Sequence, residues 1–216
     1  MASAKVQLPH NLHAILKEGG SQIDASSDNL IEQLQAGIFL NQNKLKFWVD
    51  RLLSANAFDI HARGLSITWG DDTRYWNWTY KPDTQGCTCV QVEVAELLKV
   101  CWLDVSKKFP AENLTPGIVY QVSFVLMMKD GEYGFANHPV NFKLAIPNYH
   151  ETIERKEDLS KLPKNKWTEV RVGEFITSCN MTGDLEISMF EHNSQWKSGL
   201  IVNKIVFHPV RRHCLN

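Results

Sequence analysis

Apolar residues recur with the helical period in two places near the start of the chain. Between Pro9 and Gly19, three leucine and isoleucine residues lie on one helical face, and the flanking proline and glycine are typical of the two ends of a short helix. A second helix is predicted over residues 28–40, where a polar cluster that includes Asn29 offers an N-cap. The apolar positions of the two faces are Leu12, Ile15 and Leu16, then Ile31, Leu34 and Ile38.

Beyond residue 40 the period changes to two, which is the spacing of β-strands. Leu45, Phe47 and Val49 alternate with other residues, and short segments rich in β-branched and aromatic residues then follow one another between turn signals. The predicted strands are 45–49, 65–69, 74–79, 90–94, 97–105, 118–128, 140–146, 170–175, 185–190 and 200–207. The charged stretch 151–166 is predicted to be a solvated loop.

Many short strands without intervening helices predict an all-β protein, an antiparallel β-sandwich or jelly roll with a short helical N-terminal extension. The domain boundaries follow from this pattern. We expect the extension over residues 1–37, the β-domain over 38–210 and a short tail over 211–216.

Composition narrows the classes of function. The chain has 216 residues, 44% of them hydrophobic, and a formal net charge of −1. Near-neutral charge excludes a strongly basic nucleic-acid binder, because such a chain cannot build a long-range positive field. Seven tryptophans are many for such a chain, and tryptophan serves both cores and binding faces, so their positions matter.

The cysteines and the start of the chain bear on the compartment. No apolar run suits a signal peptide or a membrane span, so the prediction is a cytoplasmic protein that is not secreted. Five cysteines, an odd number, argue against a full disulfide framework. Cys87, Cys89 and Cys214 are candidates for intermolecular disulfides in an oxidising environment, with inert thiols as the alternative.

Three tryptophans fall in one motif, LSITWGDDTRYWNW. On a strand, Trp76 and Trp78 point to the same face, and a polar turn joins them to Trp69. Such rings form a flat platform on which the C–H face of a sugar packs, with acidic and amide groups at its edge. The alternative is that each ring is buried between two sheets. Trp48, Trp102 and Trp167 are interpreted as structural.

A second candidate region lies near the C-terminus. Asp184 begins a predicted strand, and Glu191 begins a polar loop that contains Trp196 and Lys197. Loops at the ends of sandwich strands commonly carry binding function. A solvated hairpin is the alternative interpretation.

The sequence favours a protein that is not an enzyme. Glycoside hydrolysis needs two opposed carboxylates, and Glu186 with Glu191 is the one close pair that suggests it. Common nucleophile, phosphate-binding and zinc motifs do not occur, so no metal and no cofactor is predicted.

Four blocks of sequence occur in an order and spacing typical of one protein family. They are FWVDRLLSANAFDIHARGLSITWGDDTRYWNW, VEVAELLKVCWLDV, WTEVRVGEF and DLEISMFEHNSQWKSGLIVNKIVFHPV. Together they resemble the phloem protein 2 family of plant lectins, which includes the tobacco agglutinin. The resemblance covers about residues 38–210, and with its N-terminal extension the chain is most similar to cucurbit phloem lectins.

The resemblance implies a lectin that binds N-acetylglucosamine oligomers (chitooligosaccharides) and N-glycan cores. It implies sugar-binding tryptophans at Trp69 and Trp76, with Trp78 in the same motif, and acidic sugar-binding positions at Asp184 and Glu191. Asp184 is shorter than the glutamate of the tobacco lectin, and Trp196 and Lys197 would flank the site. It further implies a homodimer in companion cells and sieve-tube sap, which associates with the phloem filament protein in wound sealing and defence.

Two other classes of function stay open. The apolar face of the N-terminal helices must be buried on the β-domain or on a partner, and exposed cysteines would then cross-link that partner, as in a structural protein of the phloem. RNA binding is the other alternative, based on Arg211, Arg212 and His213 together with aromatic stacking.

Overall fold

A computed structural model describes residues 8–20, 29–83, 90–147 and 152–211. The helices are α1 (Leu12–Glu18) and α2 (Leu30–Ala36), of seven residues each. The strands are β1 (Ile38–Leu40), β2 (Leu45–Asp50), β3 (Ala55–His61), β4 (Ser66–Ile67), β5 (Trp76–Pro82), β6 (Gln91–Leu97), β7 (Leu103–Pro110), β8 (Val119–Tyr133), β9 (Val140–Ala145), β10 (Thr152–Glu157), β11 (Thr168–Ile176), β12 (Asp184–Glu191) and β13 (Ser198–Val210). In the described part of the chain, every helix is far too short to cross a bilayer.

The strands form two sheets, which confirms the predicted all-β sandwich. The larger sheet has eight strands in the order β1-β2-β3-β13-β6-β5, and β8 joins it through β13 and carries β11. The smaller sheet has the order β10-β9-β12-β7-β4. All named strand pairs are antiparallel, and β13 is the hub, because it pairs with β3, β6 and β8.

The hydrophobic core lies between the two sheets. Phe58 and Phe207 from the larger sheet meet Phe109 from the smaller one, with ring centroids 5.0 and 4.5 Å apart. Leu12 and Leu34 of the two helices belong to the same buried cluster. The apolar face of the helices is therefore buried on the sandwich itself. Of the two alternatives for that face, the β-domain or a partner, the structure shows the β-domain.

The second helix is shorter than predicted. It ends at Ala36 because Gly37 adopts a φ of 92°, which ends the helical backbone. Ile38, predicted on the helical face, instead begins β1 and pairs with Phe47. Leu30 rather than Ile31 is the buried residue of the first turn.

Besides β1, two further strands were not predicted. All seven residues of β3 are buried, so its polar residues do not alternate with apolar ones in the usual way. The stretch 151–166 was expected to be a loop, but it contains β10, an edge strand that pairs with β9. Its sequence TIERKE is mostly exposed and lacks an apolar face, which explains why periodicity did not show it.

A cluster of buried charges lies on the side of the larger sheet that faces away from Phe58 and Ile60. The Lys204 Nζ atom lies 2.7 Å from an oxygen of Asp59 and 3.0 Å from one of Asp83, and the Lys46 Nζ atom lies 2.8 Å from the other Asp83 oxygen. Burial alone would raise the pKa of Asp59, but hydrogen bonding from His208 and the nearby Lys204 charge lower that pKa below its ordinary value.

His61 lies in the same cluster, and neither of its buried ring nitrogens has a hydrogen-bond partner among the described residues. Burial and then the positive charge of Lys204 lower the pKa of His61 to about 4. The imidazole is therefore neutral at pH 7.

Candidate functional site

The loop around Trp69 joins the two sheets at their edges. Strand β4 lies in the smaller sheet and β5 in the larger one, so residues 68–75 cross between them. The indole N–H of Trp76 donates to the carbonyl oxygen of Thr68 at 3.1 Å, and that of Trp78 donates to Gly70 at 2.7 Å. These two carbonyls flank Trp69, so two indoles fix the backbone on both sides of it.

Trp69 itself has an unusual backbone. Its φ is 58°, in the left-handed region that costs a bulky residue about 1–2 kcal/mol. Its ring is 47% exposed, and its centroid lies 5.2 Å from that of Tyr75. Strain of this kind persists where surrounding structure imposes it, which here is the pair of indole hydrogen bonds. The loop thus holds a large apolar ring in solvent.

A shallow hollow of about 550 Å³ lies beside this ring, lined by Ile67, Trp69, Gly70, Asp71, Asp72 and Thr73. Hydrogen bonds from Arg74 lower the pKa of Asp72 to about 2. The Asp71 side chain is fully exposed. The hollow therefore combines one aromatic face with two carboxyl groups, of which Asp72 stays charged well below neutral pH.

Trp76 and Trp78 do not form a platform with Trp69. They do point to one face of β5, as predicted, but that face is the core side. Trp76 is 1% exposed and has no free face for a ligand. Trp78 is half-buried, and the guanidinium carbon of Arg63 lies 3.6 Å from its ring centroid. Both rings support the loop from beneath.

Trp102 was interpreted as structural, but the structure exposes it. The predicted strand 97–105 is interrupted between β6 and β7, and Trp102 lies in that break, 46% exposed. Its ring stacks on His192 at 3.9 Å with an interplanar angle of 9°. The His192 Nε2 atom lies 2.9 Å from a carboxylate oxygen of Asp104. The apolar run VCWLDV hid this residue, because it matches a continuous buried strand.

Trp69 and Trp102 lie at the same end of the sandwich. The backbone N–H of Thr68 donates to the carbonyl oxygen of Asp104 at 3.0 Å, which joins the Trp69 loop to the start of β7. Trp196 lies at this end too, because its neighbour Lys197 exchanges backbone hydrogen bonds with Val100. The Trp196 ring is 49% exposed. We call these three exposed rings, Trp69, Trp102 and Trp196, the tryptophan rim.

Lys197 does not line the surface as predicted. Its side chain has no exposed area, and its ammonium group forms an ion pair with Glu191. The same Nζ atom donates to the carbonyl oxygens of Cys101 and Gln195, each at 2.9 Å, and to Asn193 Oδ1 at 2.8 Å. Lys197 therefore ties the 192–197 loop to the segment that carries Trp102.

The same loop is held from its other side by the end of β8 and by the segment that precedes β9. Gln195 donates to the hydroxyl oxygen of Tyr133 at 2.9 Å, and Asn193 Nδ2 lies 3.0 Å from His138 Nδ1. Gly134 packs so closely that a Cβ atom there would meet the Trp196 carbonyl oxygen. These contacts fix the backbone beneath Trp196.

Asp184 and Glu191 do not share a site. They are the first and last residues of the eight-residue strand β12. At about 3.3 Å per residue, they lie about 23 Å apart. Asp184 is exposed on the outer face, whereas Glu191 is buried on the inner face, 9% exposed. Only Glu191 lies at the end that carries the tryptophan rim.

The carboxylate pair considered for glycoside hydrolysis does not fit that chemistry. Glu186 and Glu191 lie on opposite faces of β12, about 17 Å apart along the strand. Glycosidases need separations of about 5–9.5 Å. Glu186 forms an ion pair with Lys108. Within the described ranges, no group of three or more histidine, cysteine or acidic side chains is placed to hold a metal ion.

The cysteines proposed for cross-linking, Cys87, Cys89 and Cys214, lie outside the described residues. Cys101, partly buried, and Cys179, exposed, are free thiols.

Comparison with known proteins identifies relatives. The family model described as Phloem protein 2 matches residues 55–209. Phloem protein 2-like A1 of Arabidopsis thaliana is 43% identical over 97% of this chain and 84% of that protein. A protein named lectin from Luffa acutangula is 36% identical over 97% of this chain and 98% of its own length. A lectin from Coccinia grandis is 32% identical over 74% of this chain and 94% of that protein.

Proposed function

The chain belongs to the phloem protein 2 family, and on that premise we propose that it is a lectin whose tryptophan rim binds oligomers of N-acetylglucosamine. The relatives named as lectins support the carbohydrate class. The observation that carries the proposal is the exposure of three tryptophans, between 46 and 49%, on ordered loops at one end of the sandwich. Large exposed aromatic rings are costly in water and commonly mark a binding surface.

Each ring of the rim has polar neighbours suited to a sugar. The C–H face of a pyranose packs on an indole, while its hydroxyl and acetamido groups need hydrogen-bond partners. Asp71 and Asp72 lie beside Trp69, and Gln195 lies beside Trp196. Separate loops carry the three rings, so an oligomer engages more of them than a single sugar does.

Glu191 contributes to this site through Lys197. Its carboxylate is buried beneath the loop that carries Trp196, where it neutralises the lysine that binds that loop. Glu191 is thus a positioning residue, and Asp184, at the far end of β12, lies outside the site. Trp76 and Trp78 have the same supporting role beneath Trp69.

The test compares chitotriose with cellotriose by isothermal titration calorimetry. The two trisaccharides differ in the acetamido groups, which cellotriose lacks. We expect saturable binding of chitotriose with a dissociation constant on the order of 1 mM or below, and binding of cellotriose at least about tenfold weaker. Equal binding of the two would remove the selectivity for N-acetylglucosamine, and binding of neither would remove the lectin proposal.

Variants then locate the site. Trp102→Ala removes a solvent-exposed ring and should weaken chitotriose binding about tenfold or more. Tyr80→Ala is the matched control, because Tyr80 is 66% exposed but lies on β5 away from the rim. The control should bind within about twofold of the wild type. Equal losses in both variants would contradict a site at the rim.

The family resemblance supports finer proposals about where the lectin acts. These are a homodimer in the cytoplasm of companion cells and in phloem sap, where it binds N-glycans and associates with filament protein in wound sealing. Sedimentation equilibrium would test the dimer, and a monomer at all concentrations would contradict it. RNA binding stays a prediction of the sequence alone, since Arg212 and His213 lie outside the described residues.

A further inference from the structure

A second cavity lies on the flank of the sandwich, and none of the three rings of the tryptophan rim lines it. It has a volume of about 740 Å³, within the range of about 300–1,000 Å³ common for small-molecule sites. It lies where the C-terminal end of α1 and the turn before β2 approach β7. Its apolar walls come from Ile15, Leu45, Ile60 and Phe109. We call it the lateral cavity.

Lys107 extends into the lateral cavity from a core-facing strand position. Leu103, Val105 and Phe109 on the same face of β7 are buried, and Lys107 continues their alternation. Burial lowers the pKa of Lys107 most. The nearby Asp184 carboxylate opposes this and raises that pKa, the charge of Lys44 lowers it, and the net result is a lowered pKa. A lysine in a core-facing position is costly unless an anion accompanies it.

The cations around the cavity are unequally neutralised. Arg63 lies 3.0 Å from Glu93, and Lys108 lies 2.8 Å from Glu186. Across residues 8–20, 29–83, 90–147 and 152–211, neither Lys44 nor Lys107 forms an ion pair with a carboxylate. Lys44 and Lys107 therefore line the cavity without an ion pair to any described carboxylate, and Glu18 is the one acid among the four cations of the lining.

The turn that presents Lys44 is held in place. Asn41, Gln42 and Asn43 all have φ between 51 and 64°, and the Asn41 N–H donates to the Gly19 carbonyl oxygen at 3.0 Å. The Lys44 carbonyl oxygen accepts from the backbone N–H of His61 at 2.9 Å. The backbone of this wall is therefore fixed against both α1 and β3.

We propose that the lateral cavity binds a small organic anion with an apolar or aromatic body. Its acidic group, a carboxylate, sulfonate or phosphate, lies between Lys44 and Lys107, and its apolar body packs on Ile60 and Phe109. The anion supplies the charge that the two lysines lack, and the body replaces water on the apolar walls. This site is separate from the tryptophan rim and does not depend on sugar binding.

Two dyes that share one aromatic skeleton test the proposal on the full chain. 1-Anilinonaphthalene-8-sulfonate carries an anionic group, and N-phenyl-1-naphthylamine is the same skeleton without it. We expect saturable fluorescence enhancement with the sulfonate at one site, and affinity for the neutral dye at least about tenfold lower. Equal affinity for both dyes would overturn the role of charge.

Two lysines, one in the cavity and one outside it, provide matched variants. Lys107→Met should weaken binding of the sulfonate dye at least about tenfold and leave the neutral dye within about twofold. Lys161→Met, which changes an exposed lysine that pairs with Asp158 and does not line the cavity, should leave both dyes within about twofold of the wild type. Equal effects of the two substitutions would overturn the assignment to this cavity.

Two further measurements test the role of the charge at position 107 and the separation of this cavity from the rim. Lys107→Arg retains the charge and should retain the sulfonate affinity, so loss in this folded variant would contradict the proposal. Saturating chitotriose should leave the dye affinity unchanged, because the two sites are separate. Displacement of the dye by chitotriose would place the dye on the rim and overturn the lateral site.

Discussion

Two buried lysines near the last strand have similar chemistry and different surroundings. Lys197, just before β13, neutralises Glu191 and donates to loop carbonyl oxygens. Lys204, within β13, lies between Asp59 and Asp83 in a region of regular sheet. The first lysine therefore orders chain segments that strand pairing does not hold, whereas the second compensates buried acids in backbone that the sheet already fixes. The Lys197 ion pair thus supports the candidate site, whereas the Lys204 ion pairs support the stability of the sheet.

The largest expected effect is that of Lys204→Met. It leaves Asp59 and one carboxylate oxygen of Asp83 buried without the lysine charge that they share. This should lower the free energy of unfolding, measured with urea, by about 4–5 kcal/mol. Molecules that remain folded should bind chitotriose as the wild type does. A marked loss of affinity in the folded fraction would show that Lys204 also serves the rim, which would remove the contrast.

Lys197→Met should cost slightly less stability, about 3–4 kcal/mol, because Glu191 retains some contact with solvent. Unlike the previous variant, its folded fraction should lose most of its affinity for chitotriose, since the Trp196 loop has lost its anchor. The double variant Glu191→Gln/Lys197→Met removes both charges and should recover stability but not binding. Recovery of both would mean that the pair does not order the loop.

Acidic pH should lower the stability of the protein through His61, which lies in the charge cluster around Lys204. The pKa of His61 is lowered to about 4 in the folded protein, against about 6.5 when unfolded, so the unfolded chain binds more protons between these values. Stability should therefore fall by about 3 kcal/mol as the pH falls from 6.5 to 4. Urea unfolding at several pH values measures this, and His61→Phe should lose that part of the slope. An unchanged slope in His61→Phe would contradict the assignment.

Trp76→Phe extends the comparison from charged lysines to a neutral hydrogen-bond donor, the indole N–H group. The phenyl ring keeps most of the core packing but cannot donate to the Thr68 carbonyl, which should cost about 1–2 kcal/mol and weaken chitotriose binding a few-fold as the Trp69 loop loosens. Trp48→Phe, in β2, is the control and should not affect affinity. If both variants bind normally, Trp76 has no role beyond packing.

The smallest effect is expected at Asp184. Asp184→Asn changes an exposed carboxylate at the far end of β12 and should alter stability by less than about 0.5 kcal/mol, with chitotriose affinity unchanged. Calorimetry on this variant and on Glu191→Gln compares the two acids of one strand. Reduced binding by Asp184→Asn alone would reverse the assignment.

The sequence predicted the class of fold well, because alternation is strong wherever one strand face is buried and the other exposed. Apart from β1, where the predicted helix ran on too far, it failed at β3, which is buried on both faces, and at β10, which has almost no buried face. Both failures have one cause. Periodicity reports a difference in polarity between the two faces of a strand, and neither β3 nor β10 has such a difference.

The candidate site was predicted in part. Trp69 and Trp196 were named from sequence, and both are exposed. Trp102 was missed because a break in backbone pairing, which side-chain composition does not encode, turns it outward. Trp76 and Lys197 were expected at the ligand surface, but burial places them one layer beneath it. The spacing of aromatic residues identifies the motif. Whether a given ring is buried or exposed depends on which sheet edge the chain crosses there.

The left-handed backbone at Trp69 has a consequence for engineering. Glycine or asparagine would adopt that conformation with little strain, so a variant library sorted for melting temperature alone would be enriched in replacements at this position. Those replacements would discard the ring that the proposed function requires. Thermostable variants of this protein should therefore be recovered from a library that is sorted for sugar capture in the same round as for heat resistance.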